Sequence, residues 1–367
     1  MSDFYKLRVN HIIRETPVSV SFAFDIPEDL KKTFLFIQGQ YITLKLFINN
    51  EELRRCYSVC TSPNDGELRV AVKKVKGGKV SNWLNEHLKV GDQLDVLPPM
   101  GNFYTDLNAN NSKNYILFAG GSGITPIISI TKSVLEEELK SKVVLLYGSF
   151  TETEIIFKDK LDEIEEVYAD RLKCHYILDV PKNETDELHK GIMTIDKTKT
   201  LIDKFVDITA DNEYFICGPP GMKENVLEAL ANLSVEKSRI HIEVFTSNPD
   251  LVPDASPESD TSVEEDVQPI SSCDITFILD GDEYTTTMKG NGNILQVALD
   301  EGIDAPFSCR GGMCSTCRAK VTSGKANMKN NSALTDSEVE EGYILTCQGY
   351  PITESIIVDY DEAQIGR

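Results

Sequence analysis

The alternation of apolar and polar residues changes its period twice along this chain. Up to about residue 108 it is short and strand-like: runs at 6–13, 18–26, 41–48, 68–75 and 93–97 are rich in β-branched and aromatic residues. Pro27, Gly39, Asn49-Asn50, Asn64-Asp65-Gly66 and Gly91-Asp92 punctuate them, and a short helix is predicted near 80–87. Strands at this spacing predict an antiparallel β-barrel. After the polar break Asn108-Ala109-Asn110-Asn111-Ser112-Lys113, strand runs at 115–119, 143–147, 174–178, 214–217 and 240–245 alternate with helical periodicity at 125–139, 157–171, 194–205 and 222–233. That rhythm predicts a doubly wound, mostly parallel α/β sheet, with ligands beyond the carboxyl ends of its strands.

The stretch 247–272 breaks both patterns. It carries Pro249, Pro253, Pro257 and Pro269 among many carboxylates, without one Lys or Arg, and is expected to be an acidic, self-repelling tether. Beyond it, strands at 275–279 and 284–288 around Asp280-Gly281-Asp282, a helix at 294–301, and strands near 318–322 and 356–359 predict a small α+β domain. The expected domains are therefore 1–108, 113–246 and 273–367, with the linker between the last two.

A chain of 367 residues, 41% hydrophobic, suits two or three globular domains. Its net charge of −22 disfavours nucleic acid and would steer a basic partner toward it. The opening residues Met1-Ser2-Asp3-Phe4-Tyr5-Lys6 lack the regions of a signal peptide, and no apolar run reaches membrane-spanning length, so a cytoplasmic location is expected. Nine cysteines, an odd number, fit a reducing compartment.

Four of those cysteines carry the most specific signal. Cys309-Arg310-Gly311-Gly312-Met313-Cys314-Ser315-Thr316-Cys317, followed by Cys347, has the C-x4-C-x2-C…C spacing of plant-type [2Fe–2S] sites. Gly311 and Gly312 let the backbone curl and aim N–H groups at sulfur. A zinc site would want a second close pair, a disulfide framework would want secretion, and a redox C-x-x-C would leave Cys309 and Cys347 unexplained. Cys56, Cys60, Cys174 and Cys273 read as incidental thiols, and His11, His87, His175, His189 and His241 as structural.

Upstream, two glycine-rich loops each join a strand to a helix: Gly120-Gly121-Ser122-Gly123-Ile124-Thr125-Pro126 and Cys217-Gly218-Pro219-Pro220-Gly221-Met222. Two such loops at one sheet edge point to a dinucleotide, though neither has the G-x-G-x-x-G order. In the barrel, Arg55-Cys56-Tyr57-Ser58 offers a cation, a ring and a hydroxyl, and Gly77-Gly78-Lys79-Val80-Ser81 a turn into a helix where a phosphate could sit, or where Ser81 simply caps.

Together these motifs resemble the ferredoxin–NADP reductase superfamily. More narrowly, the chain is similar to fused flavin and ferredoxin reductases that serve as the reductase subunit of phenylacetyl-CoA epoxidase in phenylacetate degradation. The resemblance spans essentially the whole chain and implies an FAD barrel, an NAD(P) domain and a C-terminal β-grasp ferredoxin. It implies FAD contacts from Arg55, Tyr57 and Ser58, a flavin-side strand with Val72, Lys73 and Val75, and a pyrophosphate held by Gly78, Lys79, Val80 and Ser81. It further implies nucleotide loops formed by Gly120, Gly121, Ser122, Gly123, Thr125 and Pro126, and by Cys217, Gly218, Pro219 and Met222. Thr125 and Cys217 would lie near the nicotinamide, and Glu243 and Phe245 beside the flavin. Catalytic roles would then fall to Tyr57, Ser58, Thr125, Cys217 and Glu243, and the cluster to Cys309, Cys314, Cys317 and Cys347.

One departure stands out. Tyr147-Gly148-Ser149-Phe150-Thr151-Glu152 lacks the Arg that would meet a 2′-phosphate, and Glu152 and Glu154 add negative charge, with Lys158 as a possible substitute. A preference for NADH, or loose NAD(P)H selectivity, is expected. Flavin must mediate between a two-electron hydride donor and a one-electron cluster, so the expected partner is an oxygenase or another one-electron acceptor protein. An acyl-CoA desaturase, a steroid hydroxylase and a hybrid-cluster protein are alternative acceptors. A redox-sensing binding protein and a cofactor-free scaffold are the readings from other classes.

Overall fold

The strand-forming runs of the N-terminal region pair into a six-stranded barrel-like sheet in the computed structural model, which describes residues 4–245, 272–290 and 292–364. Its strands are β1 (Tyr5–Thr16), β2 (Ser19–Asp25), β3 (Tyr41–Ile48), β4 (Glu51–Ser58), β5 (Leu68–Lys73) and β6 (Gln93–Met100), in the order β4-β3-β6-β1-β2-β5. Asn49 and Asn50, with φ of 53° and 65°, turn β3 into β4 as a two-residue hairpin requires. Leu7, Phe22, Ile42, Leu44 and Val96 fill the core, joined by Val80 and Leu84 from helix α1 (Lys79–Glu86).

Three local expectations need correcting here. The region 51–58, absent from the predicted strand runs, is a full strand, and the run from 68 ends at Lys73, not at 75. Strand β6 also runs on past 97: Tyr41 pairs with Met100 and Thr43 with Leu97, so Pro98 and Pro99 together oppose Ile42. Such a bulge is where a sheet tolerates proline, which has no N–H for the ladder.

The nucleotide sheet is parallel throughout, in the order β11-β10-β7-β8-β9. Its strands are β7 (Asn114–Gly120), β8 (Lys142–Ser149), β9 (Leu172–Leu178), β10 (Asn212–Cys217) and β11 (Ile240–Glu243). The connecting helices are α2 (Ile124–Glu137), α3 (Lys158–Val167), α4 (Ile195–Phe205) and α5 (Pro220–Asn232). The chain winds outward from β7 to β9, then returns to lay β10 on the other side of β7. The reversal opens a crevice at the carboxyl ends of β7 and β10, where doubly wound folds bind ligands.

Barrel and nucleotide sheet share a core. Cys60, Ala71 and Phe103 pack with Tyr115, Ile127, Ile130 and Phe215, and Phe103 meets Phe215 edge-on at 5.4 Å. The Ser129 hydroxyl donates to the Thr61 carbonyl at 2.6 Å, and the Gln38 amide to the Thr105 carbonyl at 2.6 Å.

The C-terminal unit is a mixed five-stranded sheet in the order β13-β12-β18-β14-β16, with β12 and β18 parallel at its centre. It comprises β12 (Ser272–Leu279), β13 (Asp282–Lys289), helix α6 (Ile294–Asp300), β14 (Arg318–Ser323), β15 (Ala326–Met328), helix α7 (Asp336–Glu340), β16 (Tyr343–Leu345), β17 (Gly349–Pro351) and β18 (Ser355–Asp359). Ile294, Leu295 and Ala298 of α6 seat the helix against Ile275, Phe277, Ile356 and Val358. The expected tether 247–272 lies outside the described residues, except that Ser272 already belongs to β12. Among the described residues no helix is long and apolar enough to cross a membrane.

Candidate cofactor crevice and cysteine loop

The two glycine loops meet backbone to backbone. A Cβ on Gly123 would lie 2.0 Å from the Cys217 carbonyl oxygen, and one on Gly218 would lie 2.4 Å from Met222 Cε and 3.0 Å from the Gly120 nitrogen. One on Gly120 would strike Pro219 at 2.6 Å and Met222 Sδ at 2.8 Å. No side chain fits there, so the ends of β7 and β10 present bare backbone to whatever lies above them. Gly121 (φ 53°) makes the turn, and its carbonyl accepts the Tyr147 hydroxyl at 3.0 Å. The same hydroxyl accepts the Ile156 N–H at 3.2 Å, clamping the loop from below. Thr125 is buried in the first turn of α2, ahead of Pro126, and donates to the Ser122 carbonyl at 3.0 Å.

Helices α1, α2 and α5 all begin without a side-chain cap, at Gly78, Gly123 and Pro219. Uncapped first-turn N–H groups at a positive dipole end suit phosphate oxygens. Ser81 does not cap α1; its hydroxyl accepts the Val75 N–H at 3.2 Å, fixing the turn whose Gly78 N–H donates to the Val75 carbonyl at 2.9 Å. Val72 and Val80 turn their side chains into the barrel core, while Lys79 pairs with Glu51 at 2.6 Å. Lys73 pairs with Glu154 at 3.0 Å and comes within 3.9 Å of a Cβ placed on Gly121. Tyr57 packs half-buried at the edge of the barrel core, next to Ser58, and the Arg55 guanidinium donates to the Arg54 carbonyl at 2.8 Å.

Ser58, Cys217 and Glu243 converge from three strands. The Ser58 hydroxyl donates to Glu243 Oε2 at 3.1 Å, and Cys217 and Glu243 are registered partners at the ends of β10 and β11. Glu243 is half-buried as a residue, yet desolvation of its carboxyl raises its pKa to about 8, against the opposing pull of the Ser58 hydrogen bond. Burial, then the neighbouring Glu243, pushes the Cys217 thiol well above its ordinary value. Phe245 follows two residues on, packed against the core that Cys217 joins.

In the C-terminal unit the cysteine loop is held open by its backbone. Arg310 (φ 53°) and Gly312 (φ 74°) curl it, and the N–H groups of Gly311 and Met313 both point at Cys309 Sγ from 3.4 Å. Gln348, next to Cys347, donates to the Arg310 carbonyl at 2.8 Å, and the Thr346 hydroxyl donates to the Cys317 carbonyl at 3.0 Å. Hydrogen bonding to Cys314, then burial, pushes the Cys309 thiol up, and Cys347 and burial do the same to Cys317. Among the described residues no three side chains close on one point as ligands of a single ion would. The thiols instead form two pairs, with N–H donors to sulfur, an arrangement that fits a two-iron cluster better than one zinc ion.

The clamps Tyr147, Thr346 and Gln348 were not anticipated. Tyr147 ends a buried strand and reads as core. Gln348 and Thr346 flank Cys347, but spacing alone assigns them nothing.

Lys158, the candidate to substitute for the missing Arg, pairs with Asp162 and lies 4.6 Å from the Tyr176 ring centre.

Residues 6–104 match the oxidoreductase FAD-binding domain, 117–228 the oxidoreductase NAD-binding domain and 277–351 the 2Fe-2S iron-sulfur cluster binding domain. Over 362 residues the chain is 34% identical to a component of the 1,2-phenylacetyl-CoA epoxidase of Escherichia coli (strain K12), covering 98% of this chain and 99% of that one. It is 36% identical over 366 residues to the 3-ketosteroid-9-alpha-monooxygenase, ferredoxin reductase component, of Mycobacterium tuberculosis (strain CDC 1551 / Oshkosh), covering 97% and 96%. Among solved structures, phthalate dioxygenase reductase shares the fold over 97% of this chain and 98% of its own, with a TM-score of 0.58 at 22% identity. Full-length identity and three domain matches in the order FAD, NAD, iron–sulfur make this chain a member of the ferredoxin–NADP reductase superfamily, in the family of fused FAD and [2Fe–2S] oxidoreductases that includes those epoxidase and monooxygenase components.

Proposed function

We propose that this chain is the reductase component of a multicomponent oxygenase, drawing reducing equivalents from NAD(P)H and handing them singly to an oxygenase that acts on an aryl-acetyl-CoA thioester. The hydride half of the reading rests on the crevice where Ser58, Cys217 and Glu243 converge beside two glycine loops that leave no room for a Cβ at Gly120, Gly123 or Gly218. The acceptor is supported by the full-length likeness to the epoxidase component. When bound, FAD takes a hydride's electrons together and releases them one at a time to a [2Fe–2S] centre.

The residues divide the work as follows. The uncapped start of α1 at Gly78, with Lys79, Val80 and Ser81, would hold the FAD pyrophosphate, and Lys79, which pairs with Glu51, would supply a cation there. Arg55 grips phosphate, Tyr57 and Phe245 shield the ring system from water, and Val72, Lys73 and Val75 border it. The loops from Gly120 to Pro126 and from Cys217 to Met222 cradle the nicotinamide nucleotide, with Thr125 and Cys217 at the reacting end. Glu243 keeps a proton at neutral pH and can pass it through Ser58 Oγ. Cys309, Cys314, Cys317 and Cys347 ligate the cluster.

The test is an anaerobic assay of the intact holoprotein with NAD(P)H and a purified oxygenase component. Cys314→Ser should leave flavin reduction intact and abolish transfer to the oxygenase. Normal feeding of the partner by that variant would remove the cluster from the route. The 36% likeness to the steroid monooxygenase component favours a steroid hydroxylase as the second acceptor, so both oxygenases belong in the assay. Turnover with either excludes a purely sensory role.

A further inference from the structure

Thr346, fully buried beside Cys347, ties together two segments of the C-terminal unit that lie far apart in the chain. Its N–H and its hydroxyl both donate to the Cys317 carbonyl, at 3.1 and 3.0 Å, across 29 positions. Its own carbonyl accepts the Leu295 N–H at 3.0 Å, a first-turn donor of α6 that would otherwise lack a partner. The two segments are thus joined at one cysteine and next to another, and Cys317 with Cys347 makes one of the thiol pairs.

Tyr360 closes on Thr346 from behind, its hydroxyl 3.0 Å from Thr346 Oγ1. A carbonyl can only accept, so the single hydroxyl hydrogen of Thr346 is committed to Cys317, and toward Tyr360 the same oxygen can only accept. The direction is forced: Tyr360 donates to Thr346, and Thr346 donates to Cys317. A hydroxyl that accepts one bond donates the next more strongly. The sheet fixes where this relay begins. Tyr360 is fully buried just past β18, and its N–H donates to the Ile278 carbonyl of β12 at 2.9 Å. Behind it the Asp359 carboxylate accepts the N–H groups of Asp361 and Glu362, at 2.8 and 2.9 Å, and turns the chain away.

We infer that Tyr360 is a positioning residue for the iron–sulfur centre: through Thr346 it fixes the Cys317 carbonyl, holds Cys317 and Cys347 in register and tunes the potential at which the centre takes its electron. Both hydroxyl hydrogens of the relay point toward Cys317, so the positive end of each dipole faces a residue whose thiolate is a ligand. Dipoles turned this way stabilise an added electron, hydrogen bonding around the sulfurs being one of the influences that set such potentials. The inference rests on the cysteine ligation proposed above, and adds to it a residue that cysteine spacing does not mark.

The experiment is an anaerobic redox titration of the intact holoprotein, followed by the paramagnetic signal of the reduced centre, with iron and sulfide counted per chain and their release to a chelator timed. Tyr360→Phe keeps the ring and deletes one hydroxyl. Its midpoint should move to a more negative value, the reduced-to-oxidised ratio at a fixed potential falling about two- to fivefold, and its iron should leave about threefold faster. Thr346→Val should move the midpoint further in the same direction, and Thr346→Ser, which keeps the hydroxyl, should hold it at the wild-type value. Combining Tyr360→Phe with Thr346→Val should give the shift of Thr346→Val alone, because a relay cut at its second link has already lost its first. A midpoint unmoved or raised in Tyr360→Phe would overturn the inference even if iron left faster, as would additive shifts in the double variant. A wild-type protein that binds FAD but holds no iron or sulfide would overturn the ligation reading, and the role of the relay with it.

Discussion

The Ser58 hydroxyl donates to Glu243 Oε2 across 3.1 Å, joining the last residue of β4 in the barrel to the last residue of β11 in the nucleotide sheet. These residues are 185 positions apart in the chain, and each ends the strand that carries it. The bond therefore exists only when barrel and nucleotide sheet are docked. It makes one polar site out of two domains.

That site should titrate in the working range. Burial raises the Glu243 carboxyl to about 8, so the folded protein holds it neutral at pH 7 while an unfolded chain ionises it near 4.5. Its contribution to stability is complete below the unfolded value and declines as pH climbs toward about 8, by up to about 1.4 kcal/mol per pH unit. The rate of flavin reduction is expected to fall as pH passes about 8. Glu243→Gln should flatten both profiles. Ser58→Ala removes the bond that lowers this pKa and should move the kinetic inflection upward. A wild-type rate constant from pH 6 to pH 10 would contradict the proton-holding role.

Gly123→Ala should damage the crevice without touching any titratable group. The added methyl meets backbone at 2.0 Å, which no rotamer change relieves. Overpacking of this kind costs about 3 kcal/mol, and nucleotide binding should weaken as the loops part. Gly221→Ala, where a Cβ meets nothing within 4 Å, is the matched control and should keep full stability. Chemical denaturation and nucleotide titration of the two variants distinguish a crevice effect from a general intolerance of alanine.

Glu138 anchors the segment that links barrel to sheet. Fully buried, it accepts the Asn108 N–H at 3.1 Å, the Asn111 amide at 2.6 Å, the Tyr115 hydroxyl at 3.0 Å and the Ser141 hydroxyl at 2.7 Å. Glu138→Ala strands buried donors and should cost about 3 kcal/mol of folding stability. The FAD and cluster spectra of the folded fraction should be unchanged.

How much of this was readable beforehand depends on how local each signal is. The parallel sheet was legible because its strands are apolar on both faces, and the glycine loops because they fall where strand patterns stop. Strand β4 was not: in Glu51–Ser58 only Leu53 and Ser58 are buried, so its alternation is faint and its pairing comes from the Asn49-Asn50 turn. Pro98 and Pro99 hid the end of β6 for the opposite reason, since a bulge lets them stay. Ser81 looked like a cap because it sits early in a helix, yet its hydroxyl holds the preceding turn instead. The contact of Glu152 with the Lys182 and Asn183 N–H groups is set by strand register, which no motif encodes.

Gly312 offers the most direct test of the cysteine loop, because two independent constraints forbid a side chain there. Its φ of 74° lies in the left-handed region, and a Cβ would lie 2.5 Å from the Asn330 carbonyl oxygen and 2.9 Å from Gln348 Cγ. Gln348 is the residue that holds the Arg310 carbonyl, and the Gly312 carbonyl itself accepts the Ser332 N–H at 2.9 Å, so any shift spreads through the loop. Gly312→Ala should therefore lower iron and sulfide per chain and slow electron delivery to the partner. FAD content and the rate of flavin reduction by the nicotinamide should stay at wild-type values, since neither crevice strand changes. Gly281→Ala, at a hairpin with φ of 79° but open space around it, controls for backbone strain alone and should retain the cluster. Equal iron loss in both variants would mean that general instability of the C-terminal unit, and not the shape of the loop, governs cluster retention.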